Sequence, residues 1–179
     1  MTERLIFAQT FEGLFRAVSR QLDERLAAEL REVGVDPRVE LKPTYPLAVF
    51  HDTLKLLGAR LFPGESPDEQ LRRIGRQFMD GYALTMVGRA MVGMMRVLGP
   101  KRTLERLSRQ FRTGNNFSET RVREVGQGHC ELWCNQVALP AWYEGIIARG
   151  LEFAGARDVE VGVIHKDAEG ATFRVRWTP

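Results

Sequence analysis

Cysteine is nearly absent from this chain: two residues in 179, Cys130 and Cys134. So few thiols exclude a disulfide framework and fit a reducing compartment, which predicts a cytoplasmic protein. Long apolar runs are missing as well. No stretch approaches the roughly 18 residues needed to span a bilayer, and the N-terminal MTERLIFAQTF holds no apolar run long enough for a secretion signal. The motifs of common chemistries are also lacking. There is no G-x-S-x-G, no G-x-x-x-x-G-K-[ST], no H-E-x-x-H, and no G-x-G-x-x-G after a strand. No catalytic set can be assembled, which predicts a protein that is not an enzyme.

What is present is ordinary in amount and uneven in arrangement. Hydrophobic residues make up 44% and charged residues 27% of the chain, values that suit one soluble domain over residues 1–179 with a real core. The net charge is only +3. Yet Arg96, Lys101, Arg102, Arg106, Arg109, Arg112, Arg121 and Arg123 stand within one segment, opposed only by Glu105 and Glu119. Such a block is either a solvated helix face or a surface for phosphate or an acidic partner. In the second case Arg102, Arg106, Arg109 and Arg112 are the anion-binding candidates, and the ligand is a nucleotide or nucleic acid.

Periodicity divides the chain near residue 112. Leu5 to Ala8 alternates briefly as a strand, and Thr10 is placed to cap a first helix carrying Phe11, Leu14, Phe15 and Val18. Leu22, Leu26 and Leu30, spaced by four, mark a second helix stopped at Gly34 and Asp36-Pro37. A stripe of Leu47, Phe50, Leu54, Leu57 and Leu61 marks a third. Ser66, Pro67 and Glu69 then read as N-cap, first helical residue and capping box. MDGYALTMVGRAMVGMMRVLGP, residues 79–100, is apolar around well over half its circumference, which predicts a central, largely buried helix. On it Gly81 and Gly88 share a face that a neighbouring backbone can approach. Gly99-Pro100 breaks the helix, and a basic helix follows to about residue 110.

Beyond RTGNN the period falls from 3.6 towards 2. Residues 117–125 and 129–138 form two strands around a Gly126-Gln127-Gly128 turn. Pro140 opens an amphipathic helix closed by Gly155. Two more strands, joined by KDAEG, end the chain. The expected fold is α+β: a mainly helical part over residues 1–112 packed on an antiparallel ββαββ sheet portion over residues 113–179.

The segment GHCELWCNQV concentrates His129, Cys130 and Cys134. On a helix the two thiols would be close enough to share a metal. On a strand they share a face but stand about 13 Å apart, too far for a disulfide or for one zinc ion. Strand geometry also turns His129 away from both. The segment therefore predicts a sheet interior and no metal site. Arg89 is the more telling polar residue: on a buried helix it must meet a carboxylate, with Asp80 and Glu144 as candidates, or an anionic ligand. Met86, Met91, Met94 and Met95 lie on the same helix and fill a core or line an adaptable pocket.

DEQLRRIGRQFMDGYALTMVGRAM, LGPKRTLERLSRQFRTGNNFSET, YEGIIARGLEFAGARDVEV and the final ATFRVRW resemble the myxobacterial family called domain of unknown function 2378, over nearly the whole chain. The resemblance implies a bacterial, cytosolic origin and no assigned activity. The C-terminal part also resembles the vinyl-reductase-type sensory domains, which share a fold with haem nitric-oxide sensors and TRAPP subunits. Where the vinyl-reductase-type domains often place cysteines beside the last hairpin, this chain has His165 and Thr172. It also lacks the Y-x-S-x-R motif of the haem sensors. The resemblance therefore implies neither a metal nor haem, although His51 stands beside an apolar stripe, and no cofactor is expected.

Together these observations predict a non-enzymatic sensory or protein-interaction module. It would bind a small, partly apolar ligand between helices and sheet, or use a helical face for a homodimer or another protein. The candidate ligand-binding residues are Arg89, Met86, Tyr82, Trp142, Tyr143 and His51.

Overall fold

The computed structural model describes residues 3–178. Strand β1 (Leu5–Phe7) leads directly into α1 (Ala8–Ala17), followed by α2 (Glu24–Glu32). Strand β2 (Thr44–Pro46) pairs antiparallel with β1 and runs into α3 (Leu47–Leu61). Then come α4 (Pro67–Tyr82), α5 (Met86–Glu105) and the short α6 (Leu107–Phe111). The second part holds β3 (Thr120–Gly126), β4 (His129–Asn135), α7 (Pro140–Phe153), β5 (Arg157–Lys166) and β6 (Gly170–Thr178). The fold is α+β, with a helical N-terminal part and a C-terminal four-stranded antiparallel sheet of order β3-β4-β6-β5.

Local chemistry sets several boundaries. The Ser66 hydroxyl accepts a hydrogen bond from the Glu69 amide at 3.3 Å and Pro67 is the first residue of α4, as the capping pattern predicts. Asp23 caps α2 through the Leu26 amide at 2.8 Å, which starts that helix at Glu24 and leaves Leu22 outside it. Thr10 is not a cap: the extended residue before α1 is Phe7, and the Thr10 hydroxyl instead donates to the Gly114 carbonyl at 3.0 Å.

The sheet behaves as its period indicates. Cys130, Leu132 and Cys134 of β4 are buried and pair in register with Val175, Phe173 and Ala171 of β6. Their neighbours His129, Glu131 and Trp133 point to the other, half-exposed face. Strand geometry holds over the whole HCELWCN segment, so the two thiols are separate, free and buried. Burial pushes the Cys134 thiol up to about 12, which keeps it protonated and inert.

The principal correction concerns residues 79–100, expected to form one buried helix. The chain instead ends α4 at Tyr82, turns through residues 83–85, and starts α5 at Met86. Thr85 caps the new helix, accepting from the Gly88 amide at 3.0 Å and donating to the Tyr82 carbonyl at 2.8 Å. The central helix is α4, wedged between α1, α3 and α7. Its approach to α7 is close enough that a methyl group on Gly75 would lie 2.6 Å from the Trp142 carbonyl oxygen, and one on Gly145 would overlap the Arg72 carbonyl. Helix α5 is largely exposed: Met86 and Val97 keep 80% and 86% of their surface in solvent. The core is already filled from α1, α3, α4 and α7, so an all-round apolar helix has one buried edge, at Val92 and Met95. Gly99, at φ +74°, kinks α5 in front of Pro100.

Candidate functional site

An aromatic run crosses the helical part: Tyr45, Phe11, Phe50, Trp142 and Phe78, then Tyr82, with successive ring centroids 4.6 to 5.5 Å apart. Tilted and edge-on contacts of this kind lock side chains in place. Above the run lies a cavity of about 100 Å³. Its walls come from α3 (Leu47, Phe50, His51), α4 (Phe78, Met79, Tyr82), α5 (Met91, Met95, Thr103, Leu104), α6 (Leu107, Gln110, Phe111) and α7 (Trp142, Tyr143, Ile146, Ile147). The segment from Thr113 to Ser118 closes one side.

That segment is tied down with care. The Phe7 amide donates to the Gly114 carbonyl at 2.9 Å, and the Leu5 amide to Asn116 Oδ1 at 2.9 Å. Asn116 Nδ2 returns a bond to the Glu3 carbonyl at 2.9 Å. Asn115 Oδ1 accepts from the amides of Phe117 and Ser118 at 3.1 and 2.8 Å. Asparagine suits position 115 because its short side chain imitates a backbone turn, and position 116 because its carboxamide offers a donor and an acceptor side by side. The Thr113 hydroxyl donates to the Gln110 carbonyl at 2.8 Å and lies 3.3 Å from the Tyr82 hydroxyl, so the Tyr82 phenol is the donor in that second bond.

The sequence-predicted ligand residues divide. Tyr82, Trp142, Tyr143 and His51 line the cavity; Arg89 and Met86 do not, because both are on the exposed face of α5. The carboxylates expected to meet Arg89 are engaged elsewhere. Asp80 holds Arg149 at 2.8 Å, and the buried Glu144 holds Arg72 at 2.7 Å and the Val163 amide at 3.2 Å. The cavity also differs from the expected place between helices and sheet: no residue of β3, β4, β5 or β6 lines it, and α7 separates it from the sheet.

Burial tunes the polar groups on the wall. The Tyr143 phenol is pushed far up by burial, against the lowering effect of the Ser118 hydroxyl. Tyr82 is raised by burial and partly relieved by Thr113. His51 is lowered, by burial first and then by Lys55, with Asp52 opposing, so its imidazole is neutral at neutral pH. No Asp, Glu, Lys or Arg stands on the described lining. Two lining residues were not anticipated, Gln110 and Thr103. They fall on the apolar stripe of Leu104, Leu107 and Phe111, three and four residues from Leu107, a spacing that marks a polar residue facing inward.

Half of the basic block is spent on internal contacts. Lys101 pairs with Glu124 at 2.6 Å, Arg112 with Glu119 at 3.3 Å, and Arg123 with Glu131 at 2.5 Å. Arg121 lies over the Trp133 ring at 4.9 Å. Arg102, Arg106 and Arg109 are exposed. Arg72 and Arg76 of α4 likewise join helices, pairing with Glu144 and Glu152 of α7 at 2.7 and 2.8 Å. Among the described residues no group of three His, Cys, Asp or Glu side chains could hold a metal ion, and no helix is long and apolar enough to cross a membrane.

With the geometry in place, comparison with known proteins adds the following. A family model described as "Protein of unknown function (DUF2378)" matches residues 4–178. A search of curated proteins finds none that matches. Solved structures of the same fold include a mutant H-NOX protein from S. oneidensis in the Fe(II) ligation state, with a TM-score of 0.75 and 11% identity over 97% of each chain. The Fe(II) unliganded H-NOX protein from K. algicida gives 0.61 and 14% identity, covering 96% of this chain and 95% of the other. A third, described in terms of haem redox potential and porphyrin distortion, gives 0.62 and 13% identity over 93% and 92%. At such identities the likeness establishes the fold. None of these comparisons supports the nucleic-acid reading of the basic block.

Proposed function

This chain belongs to the DUF2378 family, and from that premise we propose that it is a non-enzymatic sensory module holding a small, partly apolar ligand in the cavity framed by α3 to α7. The observation that carries the reading is the cavity itself: aromatic and aliphatic walls, a few convergent polar groups, and a position at the junction of five helices, which is how ligand sites are built. Its lining offers no carboxylate and no base–nucleophile pair, which supports binding over catalysis. Two free, buried cysteines fit a reducing cytoplasm.

The H-NOX likeness raises haem, and the residues present do not fit it. His51 alone could serve as a proximal ligand, but no Arg or Lys stands on the described lining to meet buried propionates, and about 100 Å³ falls short of the ~300 Å³ at which drug-sized pockets begin. The likeness supports a sensory fold whose ligand is smaller than a porphyrin. A second surface completes the module. Leu84, Met86, Val87, Met94 and Val97 expose apolar area along and beside α5, which favours a homodimer or protein partner there.

Native mass spectrometry of the purified chain, with absorbance spectra before and after adding haem, tests the reading. The expected result is a retained small adduct or uptake of an apolar probe dye, with no Soret band. A chain that takes up haem stoichiometrically, or that accepts no apolar probe at all, overturns it.

A further inference from the structure

Gln110 is a carboxamide that the fold has buried and left without protein partners. Only 6% of the residue is exposed, yet neither Oε1 nor Nε2 has a hydrogen-bond partner among the described residues. Buried polar groups are almost always satisfied, and an exception calls for a physical reason. Two hydroxyls on the same cavity wall are already committed: Thr113 donates to the Gln110 backbone carbonyl, and the Tyr82 phenol to Thr113. The Thr103 hydroxyl, 1% exposed and on the same cavity wall, is also unpartnered.

We infer that the cavity selects a neutral ligand bearing an amide-type end, a primary amide, lactam or urea, which the Gln110 carboxamide reads with Thr103 as an additional partner. This rests on the proposed ligand-binding role and names the ligand's chemistry. A carboxamide presents a donor and an acceptor side by side. A second amide is its complement, joined through two antiparallel hydrogen bonds. The lining carries no charged side chain of either sign, so an anion would enter unpaired and is disfavoured. Phe78 and Trp142 receive the ligand's apolar body.

The test uses the full chain and three probes that share a phenyl ring: benzamide, toluene and benzoate, titrated at pH 7.5 by calorimetry and ligand-observed NMR. Benzamide is expected to bind about tenfold more tightly than toluene or benzoate. Gln110→Leu lowers the benzamide affinity about tenfold and leaves toluene within about twofold. Thr103→Val gives a smaller loss of the same kind. Without ligand, Gln110→Leu melts no lower than the parent, because it removes unsatisfied polar atoms and keeps the volume; Gln110→Met repeats the measurement in case Leu disturbs folding. If toluene or benzoate binds as well as benzamide, or Gln110→Leu changes nothing, the amide inference falls and the cavity reading stands; ordered water then satisfies Gln110. If neither benzamide nor toluene binds, both fall.

Discussion

Helices α4 and α5 are separated by three residues, both contain glycine and methionine, and they end in opposite environments. Helix α4 is packed on three sides; α5 turns most of its apolar surface to solvent. Apolar content does not account for the difference, since α5 is the more apolar of the two. What α4 has is a way to be gripped. Gly75 lets the α7 backbone come within contact distance. Arg72 and Arg76 flank it and reach Glu144 and Glu152 on α7. On α5, Arg89 and Arg96 are exposed and make no ion pair among the described residues. A helix is buried by complementarity with a particular neighbour, and hydrophobicity alone leaves it at the surface.

The sharpest way to break this contrast is Gly75→Ala. The added methyl meets a backbone oxygen that cannot rotate away, so α4 and α7 must separate, at an expected cost of about 3 kcal/mol in urea denaturation. A cost below about 1 kcal/mol would mean that the close approach does not hold α4 in place. Next in size is Glu144→Ala, which takes one of two carboxylates from Arg72, Glu69 remaining, and leaves the Val163 amide without its acceptor. Breaking a buried pair costs more, but the Arg72 side chain remains 38% exposed and water can take over part of its solvation, leaving about 2 kcal/mol. Glu144→Gln, which retains an acceptor for Val163, should lose less. The smallest effect belongs to α5: Met86→Gln with Val97→Gln should change monomer stability by no more than about 0.5 kcal/mol. If analytical ultracentrifugation instead finds a dimer that this pair of substitutions dissociates, α5 is covered in solution and the contrast with α4 narrows.

The sheet was legible because its signal is local. A period of two, glycine at the Gly126–Gly128 turn and a proline opening α7 place every strand without reference to the rest of the chain. The family resemblance was legible in the same way, from contiguous runs of residues. The place of α5 was not, because a pattern apolar all round states that burial is favourable and omits which neighbours have room. Its start is written in Thr85, a good N-cap whose signal is masked by the apolar run around it. For the site, Tyr82, Trp142, Tyr143 and His51 stand out as large or titratable residues on apolar faces. Gln110 and Thr103 were hidden inside a basic helix whose charges drew attention to its outer side. The Thr113–Ser118 wall depends on contacts with the N-terminus that no local pattern displays.

That wall has a temporal meaning. The bond from the Leu5 amide to Asn116 spans 111 positions, so β1, which can pair with β2 once residue 46 has been made, must wait for this wall until nearly two-thirds of the chain is complete. During synthesis, which proceeds at about 5–20 residues per second from the N-terminus, the β1 and β2 residues precede the wall they will contact by several seconds. Closing so long a loop adds little entropic cost beyond a shorter one, because the penalty grows only with the logarithm of length. It does delay the event, since distant pairings set folding speed. The cavity therefore cannot close until long after β1 has been made, because its walls also need α7, which ends at Phe153.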